Sequence, residues 1–597
     1  MVMKISHPLN IPIQNNWLNR QVCKFTRLDG LREIYDDWLE YHQQDTHPEQ
    51  NASQGKRLLE FGLKHMNVNI DWVHEQRLNT IPLSGPLLIV ANHPLGGLEG
   101  MLLANALLKI RPDVKVLTNE MLLKFPEFSD IFIGVDVLNN NSVKKNRRGI
   151  RKVTQHLANQ GALLIFPAGT VAGMDLTNSK IIDRQWDEIV GRLMQKYRCP
   201  CVPFLVKERN SKLFYLSGHI HKRLRTALLG RAMLSKKNQR IKIVVGESIS
   251  YKEIEPLSTA RKVTDYLRFC CEIMQKSVEN DIEQPPQASE VKADIVKPEI
   301  LARLQVLESY RVLKKGDFSV YCAPYEKLGC IMEQIAISRE KTFRAVNEGT
   351  GQELDNDRFD RYYWHLWIWD DEAQKLVGGY RLGKVDEIVK QSSIDNLYSN
   401  SLYHYNENFA QSLKHAVEVG RSFVSLEYQR HSKALDLLWR GIGAFMVANP
   451  DYHTLFGCVS ISKDYSSLAQ AFLAESLLKH FNAKEEYVSS VQAKKPLLVK
   501  ETPWSDNLIN MLSNVPIINK LLGRIDAGKT IPILIRHYLA LNGKFASFTV
   551  NENFNHSLDG LIIVDLRITP EKYLIRYLGK QGAEDFIKRW EMYESVA

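Results

Sequence analysis

The sequence predicts two successive α/β domains. Three observations carry this expectation. Short apolar runs rich in Val, Ile and Leu alternate with helically spaced segments over the first 250 residues or so. A second alternation, with its own aromatic and aliphatic candidates for a core, begins near residue 362. Between them, residues 281–299 hold Pro285, Pro286 and Pro298 among Glu, Gln, Ser and Lys, with no aromatic, which is the composition of a linker. The expected division of the 597 residues is a first domain over 1–284, a linker over 285–299 and a second domain over 300–597.

Taken in order, Leu31, Ile34, Tyr35, Trp38 and Leu39 share one helical face, so 28–41 is expected as a helix and 55–66 as a second. Strands are expected at 87–91, 114–117, 162–166, 202–206 and 241–245, with helices at 100–110, 149–159 and 187–197. Strands separated by helices favour a largely parallel sheet. In the second domain, 362–369 and 376–382 flank Asp370-Asp371-Glu372-Ala373-Gln374 and predict a β-hairpin. A strand at 417–426, a helix at 432–448 and a strand at 454–461 follow. Trp364, Leu366, Ile368, Leu437, Leu438, Phe445 and Phe456 are the core candidates.

Composition narrows the function. With 44% hydrophobic and 24% charged residues the chain is globular rather than disordered or fibrous. No run of 18 residues is predominantly apolar; 86–110 comes nearest and is broken by Asn92, His93, Gly96, Gly97 and Glu99. Residues 1–20 lack a secretory apolar stretch, and eight cysteines without a CxxC pair give neither a disulfide framework nor a zinc site. A reduced, cytoplasmic protein with no bound metal is expected. The net charge of +10 arises wholly within residues 1–290, and residues 201–250 hold 11 basic and 2 acidic side chains. One basic cluster is Lys144, Lys145, Arg147, Arg148, Arg151 and Lys152. The other, Lys222, Arg223, Arg225, Arg231, Lys236, Lys237 and Arg240, alternates with Leu224, Ala227, Leu228, Leu229, Met233 and Leu234. Such a mixture suits an anionic membrane surface more than a nucleic acid. A basic helix packed on its own domain is the alternative.

The first candidate site is Ala91-Asn92-His93-Pro94-Leu95-Gly96-Gly97-Leu98-Glu99-Gly100, between an apolar strand and an apolar helix. It puts His93 at the carboxyl end of a strand, where open α/β sheets bind ligands. If the two glycines let the loop fold back, Glu99 can accept from one ring nitrogen of His93 while the other takes a proton from a hydroxyl. A turn whose histidine merely caps or packs remains open. Leu163-Leu164-Ile165-Phe166-Pro167-Ala168-Gly169-Thr170 and Val202-Pro203-Phe204 follow in order. With these motifs, 83–250 resembles the lysophosphatidate-type glycerolipid acyltransferases. That resemblance implies His93 as base, Glu99 as its orienting acid, and Asn92, Gly169 and Thr170 about the acceptor. It also implies an anionic group at Arg147 or Arg148, for which a solvated helix start is the alternative. Two departures stand out. Leu98 holds the position of the family's usual Asp, with Glu99 one further on, and Ala168 replaces the motif glutamate assigned to acceptor binding. The first resembles a branch containing ornithine-lipid O-acyltransferases and hemolysin-like proteins; the second argues against a lysophosphatidate acceptor.

The second domain carries Ser338-Arg339-Glu340-Lys341-Thr342-Phe343-Arg344, Asp357-Arg358-Phe359-Asp360, His365–Asp370, Val377–Leu382, Glu418-Val419-Gly420-Arg421-Ser422 and Leu437–Ile442. These resemble the ornithine lyso-lipid N-acyltransferases of the GNAT superfamily. An N-acyl transfer needs acids to hold or deprotonate an amine, which Glu340, Asp357, Asp360 and Glu418 could do. It also needs cations for a carboxylate, which Arg344, Arg381 and Arg421 could supply. A structural ion-pair network around Glu418 and Arg421 is the alternative. The turn 428–434 lacks the glycines of a pyrophosphate cradle, which favours acyl carrier protein over acyl-CoA as donor. Tyr362, Tyr363, Trp364, Trp367 and Trp369 could line an acyl tunnel or simply pack a strand.

Together the halves resemble bifunctional ornithine-lipid synthases. That implies N-acylation of an amino acid with a 3-hydroxyacyl group by the second domain, then O-acylation of the hydroxyl by the first. Acyl carrier protein, amino-acid and lyso-aminolipid acceptors and an anionic membrane are the implied partners, nucleic acid is not, and no cofactor is expected to be tightly bound. The implied place is the inner face of a bacterial inner membrane, held peripherally. A lyso-glycerophospholipid acyltransferase with a degenerate second half, or a membrane-binding protein without turnover, are the alternatives.

Overall fold

The computed structural model describes residues 7–9, 16–44, 53–136, 143–174, 181–220, 225, 227–275, 288–431, 433–498 and 502–596. Pro285, Pro286, Lys222, Arg223 and Leu224, singled out above, lie outside them. The chain forms two compact units. Residues 1–277 with 503–511 make the first, and 278–502 with 512–597 the second.

The first unit is built on a seven-stranded sheet of β1 (Asn69–Val73), β2 (Leu87–Ala91), β3 (Lys115–Asn119), β4 (Phe132–Val135), β5 (Ala162–Ile165), β6 (Cys201–Val206) and β7 (Arg240–Val245). Their order is β1-β7-β6-β2-β5-β3-β4. The five from β6 to β4 are parallel, and β7 runs antiparallel to β6. β2, β5 and β6 are buried throughout, as strands covered on both faces must be, which is why they read as unbroken apolar runs. Helices α1 (Asn16–Thr26), α2 (Leu28–Gln44), α3 (Gln54–Met66), α4 (Gly97–Leu108), α5 (Val143–Ala158), α6 (Ile189–Tyr197), α7 (Lys212–Ile220), α8 (Leu229–Leu234) and α9 (Ala260–Glu272) belong to the same unit. At the amino ends of β2 and β5, Arg111 is 2% exposed. It donates to the carbonyls of Pro82 (2.8 Å), Gly85 (3.0 Å) and Gln160 (3.1 Å) and, from Nε and Nη2, to both oxygens of Asp113 (2.7 Å each). The site lies at the opposite, carboxyl ends.

Four apolar side chains of the basic segment turn inward, while Ala227 is exposed. Leu228 is buried, Met233 and Leu234 pack on the main core, and Leu229 closes over Gly96. Packing on their own domain is what these four side chains do.

The second unit contains an eight-stranded sheet of β8 (Arg311–Lys315), β9 (Phe318–Pro324), β10 (Trp364–Asp370), β11 (Lys375–Lys384), β12 (Ala416–Val424), β13 (Thr454–Ile461), β14 (Lys544–Asn551) and β15 (Ser557–Asp565). The order is β8-β9-β10-β11-β12-β13-β15-β14. All neighbours are antiparallel except β12 and β13, whose ladder is parallel and joins only 416–418 to 454–456. Beyond Glu418 and Phe456 the two strands continue without pairing, so a wedge opens in the sheet. Helices α10 (Lys297–Val306), α11 (Cys330–Arg344), α12 (Ala434–Ala448), α13 (Ser467–His480), α14 (Val515–Ile525) and α15 (Glu571–Val596, broken at Gly579) accompany it. Trp367 and Trp369 are core side chains, with Trp367 stacked on Tyr321 at 5.2 Å, so these two aromatics pack a strand rather than line a tunnel. Among the described residues no helix is long and apolar enough to cross a membrane.

Candidate functional site

His93 follows the last residue of β2 by two positions. After Pro94 and Leu95 the chain turns at Gly96 (φ +98), a conformation only glycine adopts freely, and α4 begins at Gly97. Glu99 is then the third helical residue. Its Oε1 accepts the N–H groups of Gly96 (2.8 Å) and Leu95 (2.9 Å), half of a capping box. The same oxygen lies 3.0 Å from His93 Nδ1, off the ideal hydrogen-bond line, and Oε2 has no hydrogen-bond partner among the described residues. Glu99 is completely buried, whereas the His93 side chain keeps 18% exposure. The departure in spacing now has a cause. Leu98, one residue earlier on the helix, points into the core at 1% exposure, and Glu99 is the side chain that the first helical turn presents to the histidine.

The surrounding shell fixes the peptide of His93 on both sides. Ala172 N–H donates to its carbonyl (2.8 Å), and its own N–H donates to Asp183 Oδ1 (3.2 Å), while Asp183 Oδ2 accepts from Trp186 Nε1 (3.2 Å). Asn210 Nδ2 donates to the carbonyls of Pro94 (3.1 Å) and Leu95 (3.2 Å), and Tyr215 donates its hydroxyl proton to Pro94. The Phe166 ring lies 4.7 Å from the imidazole. Burial disfavours the imidazolium, but Glu99, by charge and contact, and Asp183 outweigh it, and the His93 pKa stands above its ordinary 6.5. Asp183, Asn210 and Tyr215 escaped the sequence reading, because none sits in a recognisable motif.

The other predicted residues fall in different places. Gly169, at φ +64, has nothing near its Cβ position, so it borders open space, and Thr170 Oγ1 is buried without a partner among the described residues. Asn92 is not turned toward the acceptor side. It accepts from Val206 N–H (2.7 Å) and donates to Val206 O (3.1 Å), zipping β2 to the end of β6. Arg147 and Arg148 are exposed on α5, which docks on β4 through Asn146 (bonded to both backbone groups of Asp136) and through Gly149. β4 is three strands from β2, about 14 Å at ordinary strand spacing. The two arginines are thus exposed near the start of α5, away from β2.

In the second unit, a cavity of about 1070 Å³ is lined by Asp355, Asp357, Tyr398, Arg421, Asn551 and Phe554 among others. Arg421 is placed there by a bulge: Gly379 pairs with Phe423 and Arg381 with Gly420, so two residues of β12 oppose Tyr380 alone. Arg421 has φ +49, a strained value for a non-glycine residue. Its Nε lies 3.1 Å from Asp355 Oδ2, Nη2 donates to Asp357 Oδ2 (3.3 Å), and Nη1 donates to the Tyr398 hydroxyl (3.3 Å). Behind it, Arg381 Nη1 donates to both oxygens of Asp357 (2.8 Å each) and to Asp360 (3.2 Å), beneath the Tyr398 ring. Arg339 binds Asp360 (2.9 Å) and donates to His365 Nδ1 (3.3 Å), whose Nε2–H donates to the Asp360 carbonyl (2.9 Å). Burial and Arg339 push the His365 pKa down to about 4, so it is neutral.

The acids divide by environment. Burial opposes the charge of Asp357 and Asp360, yet the arginines win and hold both carboxyl groups below the usual range. Burial prevails at Asp355 and raises it. Asp355 is therefore an acid that sequence reasoning missed, two positions before Asp357 in the same run. Glu340 and Glu418 occupy other positions than the catalytic ones expected. Glu340 accepts from Arg344 Nε (2.7 Å), from the Thr350 hydroxyl (2.7 Å) and N–H (3.1 Å), and from Gly351 N–H (2.9 Å), pinning a loop. Arg344 also donates from Nη1 to the carbonyl of Ser289 and from Nη2 to that of Gln352. Glu418 accepts from Ser399 N–H (2.7 Å), Tyr398 N–H (3.1 Å) and the Tyr363 hydroxyl, and does not pair with Arg421. All four carboxylate oxygens of these two glutamates are engaged in holding backbone.

Comparison with known proteins finds a family match within each unit. Residues 67–281 match the family described as acyltransferase, and residues 338–440 match the acetyltransferase (GNAT) domain. The chain is 31% identical over 309 residues to a glycine N(alpha)-acyltransferase of Bacteroides thetaiotaomicron, covering 48% of this chain and 89% of that protein. It is 25% identical over 199 residues to a lyso-glycine lipid O-acyltransferase of Phocaeicola vulgatus, covering 32% and 69%. To an L-ornithine N(alpha)-acyltransferase of Agrobacterium fabrum it is 26% identical over 255 residues, covering 40% and 77%. An acyltransferase domain and a GNAT domain thus share one polypeptide, and the chain is an acyltransferase that belongs to the family of the Bacteroides thetaiotaomicron glycine N(alpha)-acyltransferase.

Proposed function

We propose that the protein makes a doubly acylated amino-acid lipid in two steps. The second unit transfers a 3-hydroxyacyl group from a thioester to an amino acid, and the first unit acylates the hydroxyl so introduced. The observation that carries the second step is the contact of a completely buried carboxylate, Glu99, with Nδ1 of a partly open histidine. With Nδ1 turned to Glu99, Nε2 is left to take the hydroxyl proton. The oxygen attacks the thioester carbonyl, the C–S bond breaks, and the departing thiolate recovers the proton from the imidazolium. A placed histidine contributes ~10²–10⁴-fold to such a step.

For the first step, the division of acids about the second cavity supports distinct roles. Asp357, kept ionised by Arg381, holds the substrate ammonium. Asp355, with its raised pKa, accepts the proton as the amine becomes nucleophilic. Arg421 meets the amino-acid carboxylate. The wedge between β12 and β13 offers unpaired strand edges to an extended chain with amide groups, such as a phosphopantetheine arm, and acyl carrier protein remains the proposed donor. Ornithine is the acceptor the sequence motifs imply; the relatives named for glycine, at 31% and 29% identity, speak for glycine. Fusing the steps raises the local concentration of the amphipathic intermediate. We place the enzyme at the inner face of the membrane, with the exposed cations Arg147, Arg148, Arg151 and Lys237 toward anionic lipid.

Lipid mass spectrometry of cells expressing the protein tests this reading. The wild type should yield a doubly acylated amino acid. His93→Ala should accumulate the N-acylated mono-acyl species, and Asp355→Asn should yield neither. A wild-type product without an amino acid would refute the proposal.

A further inference from the structure

Two arginines beside the first site have no partner among the described residues. Asp183 accepts the N–H of His93, and the next residue is the exposed Arg184. Ala172 donates to the carbonyl of His93, and the next residue is Gly173, with Arg225 Nη1 4.0 Å from its Cβ position. Each arginine is thus tied to a residue adjoining a group bonded to the His93 peptide. Three other partly buried cations of this unit are paired: Lys236 with Glu208 at 3.2 Å, Arg261 with Asp265 at 2.6 Å and Arg268 with Glu272 at 2.7 Å. Among the described residues, neither Arg184 nor Arg225 has an ion pair or a side-chain hydrogen bond. Arg225 is half-buried; burial and the charge of Arg184 both hold its pKa below the usual value, and its own charge opposes protonation of His93.

Two like charges brought together, one of them partly desolvated and neither neutralised, cost free energy until an anion joins them. We propose that Arg184 and Arg225 bind the free carboxylate of the N-acylated amino acid whose hydroxyl His93 deprotonates. This rests on the acceptor reading above and adds the determinant of its specificity. In such an acceptor the hydroxyl and the carboxylate are six bonds apart, about 7 Å when extended. One end can therefore meet the imidazole while the other reaches cations outside its ring.

The test uses the purified full-length protein with an acyl thioester donor and three acceptors: N-(3-hydroxyacyl)glycine, its carboxamide, and a lysophosphatidate. The wild type should use the free acid at least about tenfold better than the carboxamide, as expected for a charge-assisted contact. Arg184→Gln and Arg225→Gln should each raise KM for the acid about tenfold, with much smaller changes in kcat and in KM for the carboxamide. Arg225→Lys should recover part of the loss. Equal use of acid and carboxamide by the wild type, or an equal loss on both in the variants, would overturn the assignment. So would a lowered thermal midpoint, which would mark the arginines as supports of the fold. Transfer to lysophosphatidate but to neither glycine derivative would instead overturn the acceptor reading itself.

Discussion

Glu99→Gln isolates the charge of the buried acid from its hydrogen bonds. The amide oxygen can still accept from Leu95 and Gly96, so the turn at Gly96 keeps its two anchors, and the amide nitrogen takes the place of Oε2, which has no partner to lose. What disappears is the negative charge 3.0 Å from His93 Nδ1. A hydrogen bond to a charged group is worth about 1.5–3 kcal/mol, which at about 1.4 kcal/mol per tenfold predicts a fall of roughly 10- to 100-fold in kcat/KM for O-acyl transfer. The pH profile adds a sign. His93 must be neutral to act, and Glu99 raises its pKa, so wild-type kcat/KM should climb with pH along a limb lying above the ordinary histidine value of 6.5. In the variant the raising charge is gone while burial remains, so the limb should move to lower pH even as the maximum falls. Steady-state transfer from a thioester, followed by thiol release between pH 5 and 9, measures both. A variant with unchanged kcat/KM, or with a lower maximum but an unmoved limb, would refute the pairing of these side chains as a catalytic unit.

Three further outcomes are expected. Gly96→Ala forces a Cβ to within 2.5 Å of Leu229 at a φ of +98, and O-transfer should fall at least about tenfold while N-transfer is untouched, read by assaying the two reactions separately. Arg111→Ala removes the donor shared by three carbonyls and Asp113; unfolding should show a loss of about 3 kcal/mol or more without a direct effect on KM. Asp355→Asn should lower N-acylation by about a hundredfold and leave O-acylation of supplied mono-acyl lipid intact.

Much of the first unit was legible in the sequence because parallel strands buried on both faces announce themselves as apolar runs. The span 87–91 is a strand end to end, and 162–166 and 202–206 shift by a single residue. β1 was not expected, being short and without a buried residue. His93 and Glu99 were legible because two glycines between a histidine and an acid are a local signal. Asp183 and Asp355 gave none, since each acquires its role from chain folded against it, not from neighbours in sequence. The same distinction explains Glu340 and Glu418. Motif position identified them as important acids, but only the structure shows their oxygens filled by the N–H groups of 350–351 and 398–399. The basic segment left two readings open in a related way, because alternating cations and leucines look alike whether the leucines meet lipid or protein.

Trp504 carries a practical lesson for anyone dissecting this enzyme. It is 5% exposed and stacks at 5.4 Å on Phe269, and the stretch 503–511 is counted with the front unit although it is translated some two hundred residues later. A gene cut at the proline-rich seam would release a front piece with Phe269 stripped of its cover. Its poor yield or clumping would then report a missing tryptophan, not a dead catalyst. Co-expressing the two pieces, or appending 503–511 to the shorter one, should restore solubility.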